Sequence, residues 1–443
     1  MSFFEYLGAI PAYCNRALSG VVLPLFLILA GGILSVRLGF FPYRRRAWRA
    51  LRRQSSTRGE GSPWRAMSMA LAGTLGVGNI SGVALALAAG GAGAILWMWV
   101  SALFAAILKF GEITLALRYR RHTERGFFGG AMHYMEEGIG GVRGRRLARI
   151  FSALCLFAAL SFGSLVQANA VSESFTASFQ IPPLFTGVVL AALSAAAIFG
   201  GARRIGALTV RLVPLMSLLY ILMTLAVIFR YADGVPRVLA LILHDAFSVR
   251  SAGAGVLGYA ALRAMRYGTA RGLFSNEAGC GTAPMAHATA STARPAVQGL
   301  YGILEVFLDT GVICTLTAFA ILLSIGVPTG DTGVRITADA LSRVFGSAAA
   351  PILSISVLCF AYATVITWAY YGERCCFYLF HSTRAGRVFL AVFCASLILG
   401  AIAAPVLVWE LADLVVSLMT LINCAVLLYL WKEIRAETDR IQE

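Results

Sequence analysis

The sequence predicts an all-α polytopic membrane protein of eleven transmembrane helices, built as two inverted five-helix repeats behind one extra N-terminal helix. Three observations predict it. Of the 443 residues, 59% are hydrophobic and only 13% charged, and apolar blocks recur along the whole chain at the length of ~20 residues that a bilayer crossing requires. The basic residues gather between those blocks. Two of the blocks are interrupted by glycine-rich sequence, and their starting points lie five blocks apart.

In order, the blocks cover approximately 20–39, 66–89, 92–117, 148–171, 184–201, 210–229, 253–291, 297–326, 351–372, 387–405 and 408–431. The first follows a stretch with few charges, unlike the basic start of a cleaved signal peptide. The second contains Gly73, Gly76, Gly78 and Gly82 within ten residues, enough to break a helix. The third carries Lys109 and Glu112, spaced three apart as an in-helix ion pair would be. The fourth holds Gln167 in apolar surroundings, and the fifth and sixth complete the first repeat. The seventh is too long for one straight crossing, so a second interruption is expected around Gly272 to Gly281. Asp309 lies in the first half of the eighth block, where Arg263 or Arg266 of the seventh is a possible partner. The ninth carries Thr364, Thr367 and Trp368, and the tenth and eleventh close the series. The implied units are 1–65, holding the extra helix and a basic loop, 66–229 and 253–431 as the repeats, 230–252 as an external connection, and 432–443 as a tail.

Charge placement orients the chain. The net charge is +16, yet all but two of the 37 basic residues are arginine, and they cluster in segments 42–65 and 118–149, then around Arg203, Arg294, Arg374 to Arg387, and Lys432 to Arg440. With eleven crossings every cluster falls on one side, which the positive-inside rule makes cytoplasmic. The N-terminus is then outside and the C-terminus inside, in a cell (inner) membrane. This loop charge has a topological role and does not indicate nucleic acid. Nine scattered cysteines without C-x-x-C spacing indicate neither a disulfide framework nor a zinc site. The dispersed histidines, at 122, 133, 244, 287 and 381, give no cluster for a membrane-embedded enzyme.

A helix broken inside lipid frees backbone groups that hydrocarbon cannot satisfy, so it persists only where it is buried or lines a wet cavity. Two such breaks, each leading one copy of an odd-helix repeat, are the sequence pattern of a secondary transporter's midplane binding site. Packing of small residues explains one glycine-rich block but not two at matching positions.

Gly73–Ala84, the block from Gly90 to Leu103 and the run from Ala270 to Pro284 together resemble the alanine or glycine:cation symporter family. Val166–Asn169, Phe307–Thr310 and Trp368–Glu373 extend the resemblance, which covers about residues 66 to 431. It implies Na⁺-coupled symport of alanine or glycine through a leucine-transporter-like fold, with Na⁺ as coupling ion, no further cofactor, and the amino acid and membrane lipid as partners. Val77 stands where the family usually has threonine, Leu96 and Ala105 replace Phe and Gly, Cys280 and Thr282 replace Met or Leu and Ser, and Ala131 and His133 replace Pro and Tyr. Proton coupling with another small amino acid is the alternative.

A small zwitterion needs an anion site and a cation site side by side. The N–H groups near Gly76, Gly78 and Asn79 open a half-helix and suit the carboxylate, while carbonyls near Gly73, with Thr74, and near Gly272 suit Na⁺ or the ammonium. Glycine permits unusual backbone angles there and leaves room. Asn79 either contacts the solutes or restores backbone bonds beside the break. Gln167 either contacts substrate or ties helices together. Thr364 and Thr367 share a helical face, as cation ligands or bonded back to their own helix. Trp368 is placed to wall the pocket, and Phe274 either caps a small side chain or packs as ordinary core. Arg271, Asn276, Glu277 and Asp309 are gate or structural candidates, since ionisable groups at membrane depth are costly.

Overall fold

Every apolar block forms helix in the computed structural model, which describes residues 13, 15, 18–53, 61–123, 126–247, 257–292, 294–329 and 333–442. Helix α1 spans Leu23–Arg37, followed by α2 (Arg45–Arg53) in the basic loop. The first interrupted block gives α3 (Pro63–Thr74) and α4 (Ser81–Gly90), bent by 60° across a short 3₁₀ turn at Val77–Asn79. Helix α3 starts sharply because Pro63 follows Ser62, whose hydroxyl accepts from the Arg65 amide at 3.2 Å, a side-chain N-cap. Helix α5 (Ala94–Arg118) leads through a two-stranded hairpin, Arg121–Thr123 with Gly126–Phe128, and α6 (Ala131–Ile139) to the long helix α7, Gly141–Phe179. The first half ends with α8 (Pro183–Ile198) and α9 (Gly201–Arg230).

The predicted start of the seventh span, 253–256, lies outside the described residues. From there α11 (Leu257–Asn276) stops, and α12 (Ala283–His287) resumes after six residues; between α9 and α11 lies a further helix, α10 (Val235–Phe247). Gly279 and Gly281 hold φ of 85° and 84° in this second break, angles that disfavour any side chain. The rest comprises α13 (Pro295–Ser324), α14 (Gly333–Phe345), α15 (Ala349–Phe380), α16 (Thr383–Ile402), α17 (Pro405–Tyr429) and the tail helix α18 (Trp431–Gln442). Sequence patterning did not anticipate α10, α14 or the hairpin, which lie in connections.

Seven helices among the described residues are long and apolar enough to cross a membrane, and the bent pair α3–α4 makes eight. Helices α1 and α8 are apolar but shorter. Helix α5 packs on both α11 and α13, α15 packs on α7, and α8 packs on α16. The broken helices are thereby enclosed. By contrast, α9 turns Leu215, Leu218 and Leu222 outward, each more than half exposed, as a lipid-facing stripe requires.

Candidate functional site

The two breaks meet at Asn79. Its Nδ2 donates to Asp309 Oδ1 at 2.6 Å, to Ser275 Oγ at 2.9 Å and to Cys314 Sγ at 3.4 Å, while its Oδ1 accepts from the Gly76 amide at 3.1 Å. Ser275 also donates to Asp309 Oδ2 at 2.7 Å, as does Thr310 at 2.8 Å. Thr317 closes the set by donating to the Asn79 carbonyl at 2.9 Å. The Asn79 side chain thus restores a backbone hydrogen bond at the first break and ties that break to Ser275 and Asp309. Asp309 pairs with these neutral donors and with neither arginine, because Arg263 bonds the Ala89 carbonyl and Arg266 lies over the Tyr267 ring.

Beside this cluster, Gln167 reaches the break directly. Its Oε1 accepts from the Val77 amide at 3.3 Å and its Nε2 donates to the Phe162 carbonyl at 3.3 Å. Val77 is fully buried within the apolar core, so its side chain supplies packing here and its amide supplies the polar contact. Gly76 has ordinary extended angles, φ −122° and ψ −158°, and none of the first break's glycines has positive φ. Their contribution is therefore space. A Cβ on Gly76 would stand 2.7 Å from Thr364 Oγ1, on Gly78 3.1 Å from Phe274, and on Gly73 3.1 Å from the Tyr371 hydroxyl.

Thr364 separates from its neighbours. It donates within reach of Phe360 O at 3.1 Å and also of the break carbonyls Ala72 O at 3.1 Å and Leu75 O at 3.4 Å. Thr367 bonds back to Ala363 O at 2.9 Å and turns its methyl toward Gly73, and Thr74 bonds back to Leu71 O at 3.3 Å. Thus only Thr364 of the expected hydroxyls faces the broken backbone. An apolar wall covers it, with Phe162 4.3 Å from Phe274 and 4.8 Å from Trp368 between ring centroids, and Phe274 4.7 Å from Trp409.

The second break is held differently from its expected arrangement. Glu277, at φ 50°, accepts from Trp368 Nε1 at 2.9 Å and from Thr282 at 2.6 Å. Arg271 instead pairs with Asp413 at 2.6 Å and lies over Phe274 and Trp409. Asn276 donates to Thr310 at 3.1 Å, and its carbonyl accepts from Lys109 at 2.9 Å. The in-helix pair of Lys109 with Glu112 is also replaced: Lys109 lies 3.3 Å from Glu305, and Glu112 accepts from the Gly281 amide and from Asn423, both at 2.9 Å. The second break supplies part of the reason, since the Asn276 carbonyl and the Gly281 amide at its edges take up Lys109 and Glu112.

Sequence reasoning missed Ser275, Thr310, Glu305 and Asn423. Ser275 sits inside the recognised motif, and Glu305 is an acid at membrane depth, so both carried a signal. Asn423 carried only its polarity. Among the described residues no three His, Cys, Asp or Glu form a metal-holding group, whereas the Asp309 carboxylate meets the Ser275 and Thr310 hydroxyls, and Thr364 meets the Ala72 and Leu75 carbonyls. That donor set suits a hard cation.

The comparisons with known proteins agree with this architecture. Residues 5–443 match the model of the sodium:alanine symporter family. The sodium/alanine symporter AgcS of Methanococcus maripaludis is 38% identical, over 95% of this chain and 94% of its own. The probable sodium/glutamine symporter GlnT of Bacillus subtilis is 38% identical, over 97% of this chain and 89% of its own. Among solved structures, MhsT in complex with L-phenylalanine superposes with a TM-score of 0.60 at 13% identity, covering 85% of this chain and 91% of that one, a likeness of fold.

Proposed function

The chain belongs to the sodium:alanine symporter family, and from that premise we propose that it couples Na⁺ to the uptake of a small neutral amino acid, alanine or glycine, by alternating access. It is a multi-pass membrane transporter with a leucine-transporter-like fold. The proposal adds eleven crossings, an outside N-terminus and inverted repeats at 66–229 and 253–431, in a cell inner membrane. The observation that carries it is the convergence on Asn79, where one amide joins the first break, the second break's Ser275 and the Asp309 carboxylate.

In this reading the Asp309 carboxylate and the Ser275 and Thr310 hydroxyls offer oxygens to one Na⁺, a negative site for a positive ion, and Asn79 positions the carboxylate through its Nδ2. Thr364 with the Ala72 and Leu75 carbonyls offers a second oxygen set, taking the place expected of Gly73, Thr74 and Thr367. The substrate carboxylate approaches the Gly76 and Val77 amides, displacing the carbonyl oxygens of Asn79 and Gln167 that accept from them. Thr364 and Gln167 leave little room at Gly76 and Phe274 leaves little at Gly78, which favours a methyl or hydrogen side chain over a long amide such as glutamine. Glu277, Asn276 and the Arg271–Asp413 pair shape the second break and its closure.

The test is uptake of labelled alanine, glycine and glutamine into proteoliposomes under an imposed Na⁺ gradient. Alanine or glycine uptake that collapses without Na⁺ is expected. Uptake indifferent to Na⁺ removes the coupling assignment, and preference for glutamine removes the size argument.

A further inference from the structure

Away from the Asn79 cluster, an apolar groove of about 500 Å³ lies between α5 and α13. Tyr43, from the turn just before α2, lines it and donates its hydroxyl to the Leu103 carbonyl at 2.8 Å. Trp99 and Thr315 line it as well, joined by a hydrogen bond of 2.9 Å from the indole Nε1 to the hydroxyl. Ala102 and Gly311 contribute small surfaces to its two walls, so the hollow exists where side chains stop short. Among the described residues no charged side chain lines it. Along α13 the lining runs from Ile303 to Thr315, about 18 Å at helical rise, comparable to half of a ~30 Å hydrocarbon core.

Leu103 and Phe307, on opposite walls, are 57% and 60% exposed, apolar side chains on two helices long enough to cross a membrane. The groove therefore faces lipid. At Tyr43 the surface changes character. Arg44, Arg45, Arg46, Arg49 and Arg52 are exposed, whereas Ala47 is buried and Trp48 and Leu51 pack half-buried on the core. A helix of this kind lies along a membrane surface, its apolar face inward and its cations among the headgroups. Because α2 follows Tyr43 directly and packs on α13, its arginines adjoin the groove.

Nothing nearby neutralises them. The sequence has no acidic residue between Glu5 and Glu60, and among the described residues none of these five arginines forms an ion pair. The acids of α18, which packs beside α2, are engaged elsewhere: Glu433 and Glu437 with Arg118, Glu437 also with Arg440, and Asp439 with Arg435. In a bilayer any phospholipid can place a chain in an apolar groove, so the arginines decide which one stays. A guanidinium holds phosphate through two parallel N–H donors, and clustered basic residues at a membrane surface select anionic headgroups.

We propose that the groove between α5 and α13, together with α2, binds one anionic phospholipid, its phosphate on Arg44, Arg45, Arg46 and Arg49 and an acyl chain in the groove. The chain lies against Gly311, within the π turn Phe307–Cys314 that carries Asp309. The site stands on the surface of the molecule and its place in a membrane, whatever solute or ion is carried.

Quenching of Trp99 by brominated lipid tests it, with the full-length protein reconstituted in phosphatidylcholine vesicles. Rising fractions of phosphatidylglycerol, or of phosphatidylcholine, are introduced with dibrominated chains, and the Trp99 signal is taken as the difference from a matched Trp99→Phe protein. Wild type is expected to reach half-quenching at a roughly tenfold lower fraction of the anionic lipid. Arg44→Gln, Arg45→Gln, Arg46→Gln and Arg49→Gln combined are expected to erase that preference. Ala102→Phe, which fills the groove and leaves the arginines in place, is expected to erase it too. Equal quenching by the two lipids in wild type, or a preference that survives in either variant, overturns the site. Should the fourfold variant fail to insert, wild type and Ala102→Phe decide.

Discussion

At the scale of single residues, Asn79 and Gly76 give the proposed function its sharpest tests, for different reasons. Asn79→Ala removes a donor from the buried Asp309 carboxylate, which keeps Ser275 and Thr310. A hydrogen bond to a charged group is worth about 1.5–3 kcal/mol, so the apparent Na⁺ affinity of alanine uptake is expected to change by roughly 10-fold or more. Membrane-fraction immunoblots should show normal insertion. An unaltered Na⁺ dependence would place the ion elsewhere. For glycine the test is a contrast within one motif. The Cβ of Gly76→Ala would stand 2.7 Å from Thr364 Oγ1 and 3.1 Å from Gln167 Oε1, whereas that of Gly82→Ala meets only Arg271 Cδ at 3.9 Å. Uptake is expected to be lost in the first variant and kept in the second. Equal behaviour would mean that the motif's glycines act through backbone flexibility.

At the scale of elements, the breaks were legible and the turns that aim residues at them were not. Glycine density and span length located both interruptions, and polarity at membrane depth selected Asn79, Gln167 and Asp309. Yet α7 carries a π turn at Ala159–Val166 immediately before Gln167, and α13 carries one at Phe307–Cys314 around Asp309 and Thr310. Such insertions re-aim side chains, often at functional sites, and leave no compositional mark. Partner choice was equally hidden, since Lys109 and Arg271 prefer distant acids over those nearest in sequence. The π turn of α7 also needs Gly163, where a Cβ would stand 2.4 Å from Trp368 Cβ on α15. Gly163→Val is therefore expected to destabilise by about 1–3 kcal/mol through overpacking, seen as a lower Tm in detergent and reduced uptake. Gly311→Val, in the matching turn of α13, meets only the side chain of Phe307, itself 60% exposed, and is expected to cost less. The reverse ranking would remove the close α7–α15 approach as a determinant.

At the scale of the molecule, the site is closed from both ends. A cavity of about 720 Å³ lies between α7, α14, α15 and the α16–α17 junction, lined by Glu173, Arg335 and Asp339 among others. Another, of about 840 Å³, opens at the opposite, arginine-rich end beside Arg203, Arg374 and Arg387. Asn79, Gln167 and Trp368 line neither and are at most 1% exposed, as expected of an occluded stage between outward and inward openings. Which end faces out is a matter of parity. Val142 and Gln180 bracket α7, and both are exposed. Between Gln180 and the exposed Arg384 stand α8, α9, the α11–α12 pair, α13 and α15, five crossings if the broken pair traverses the bilayer. Gln180→Cys is therefore expected to react with a membrane-impermeant maleimide in intact cells, and Val142→Cys and Arg384→Cys only after permeabilisation. The native cysteines among the described residues are buried or half-buried, and Cys14, outside the described residues, is replaced by serine in the parent chain to lower the background. If α11–α12 were re-entrant, Arg384 would label together with Gln180. That pattern would break the two-repeat arrangement while leaving the Asn79 cluster in place, whereas labelling of Val142 in intact cells with Gln180 protected would invert the whole protein.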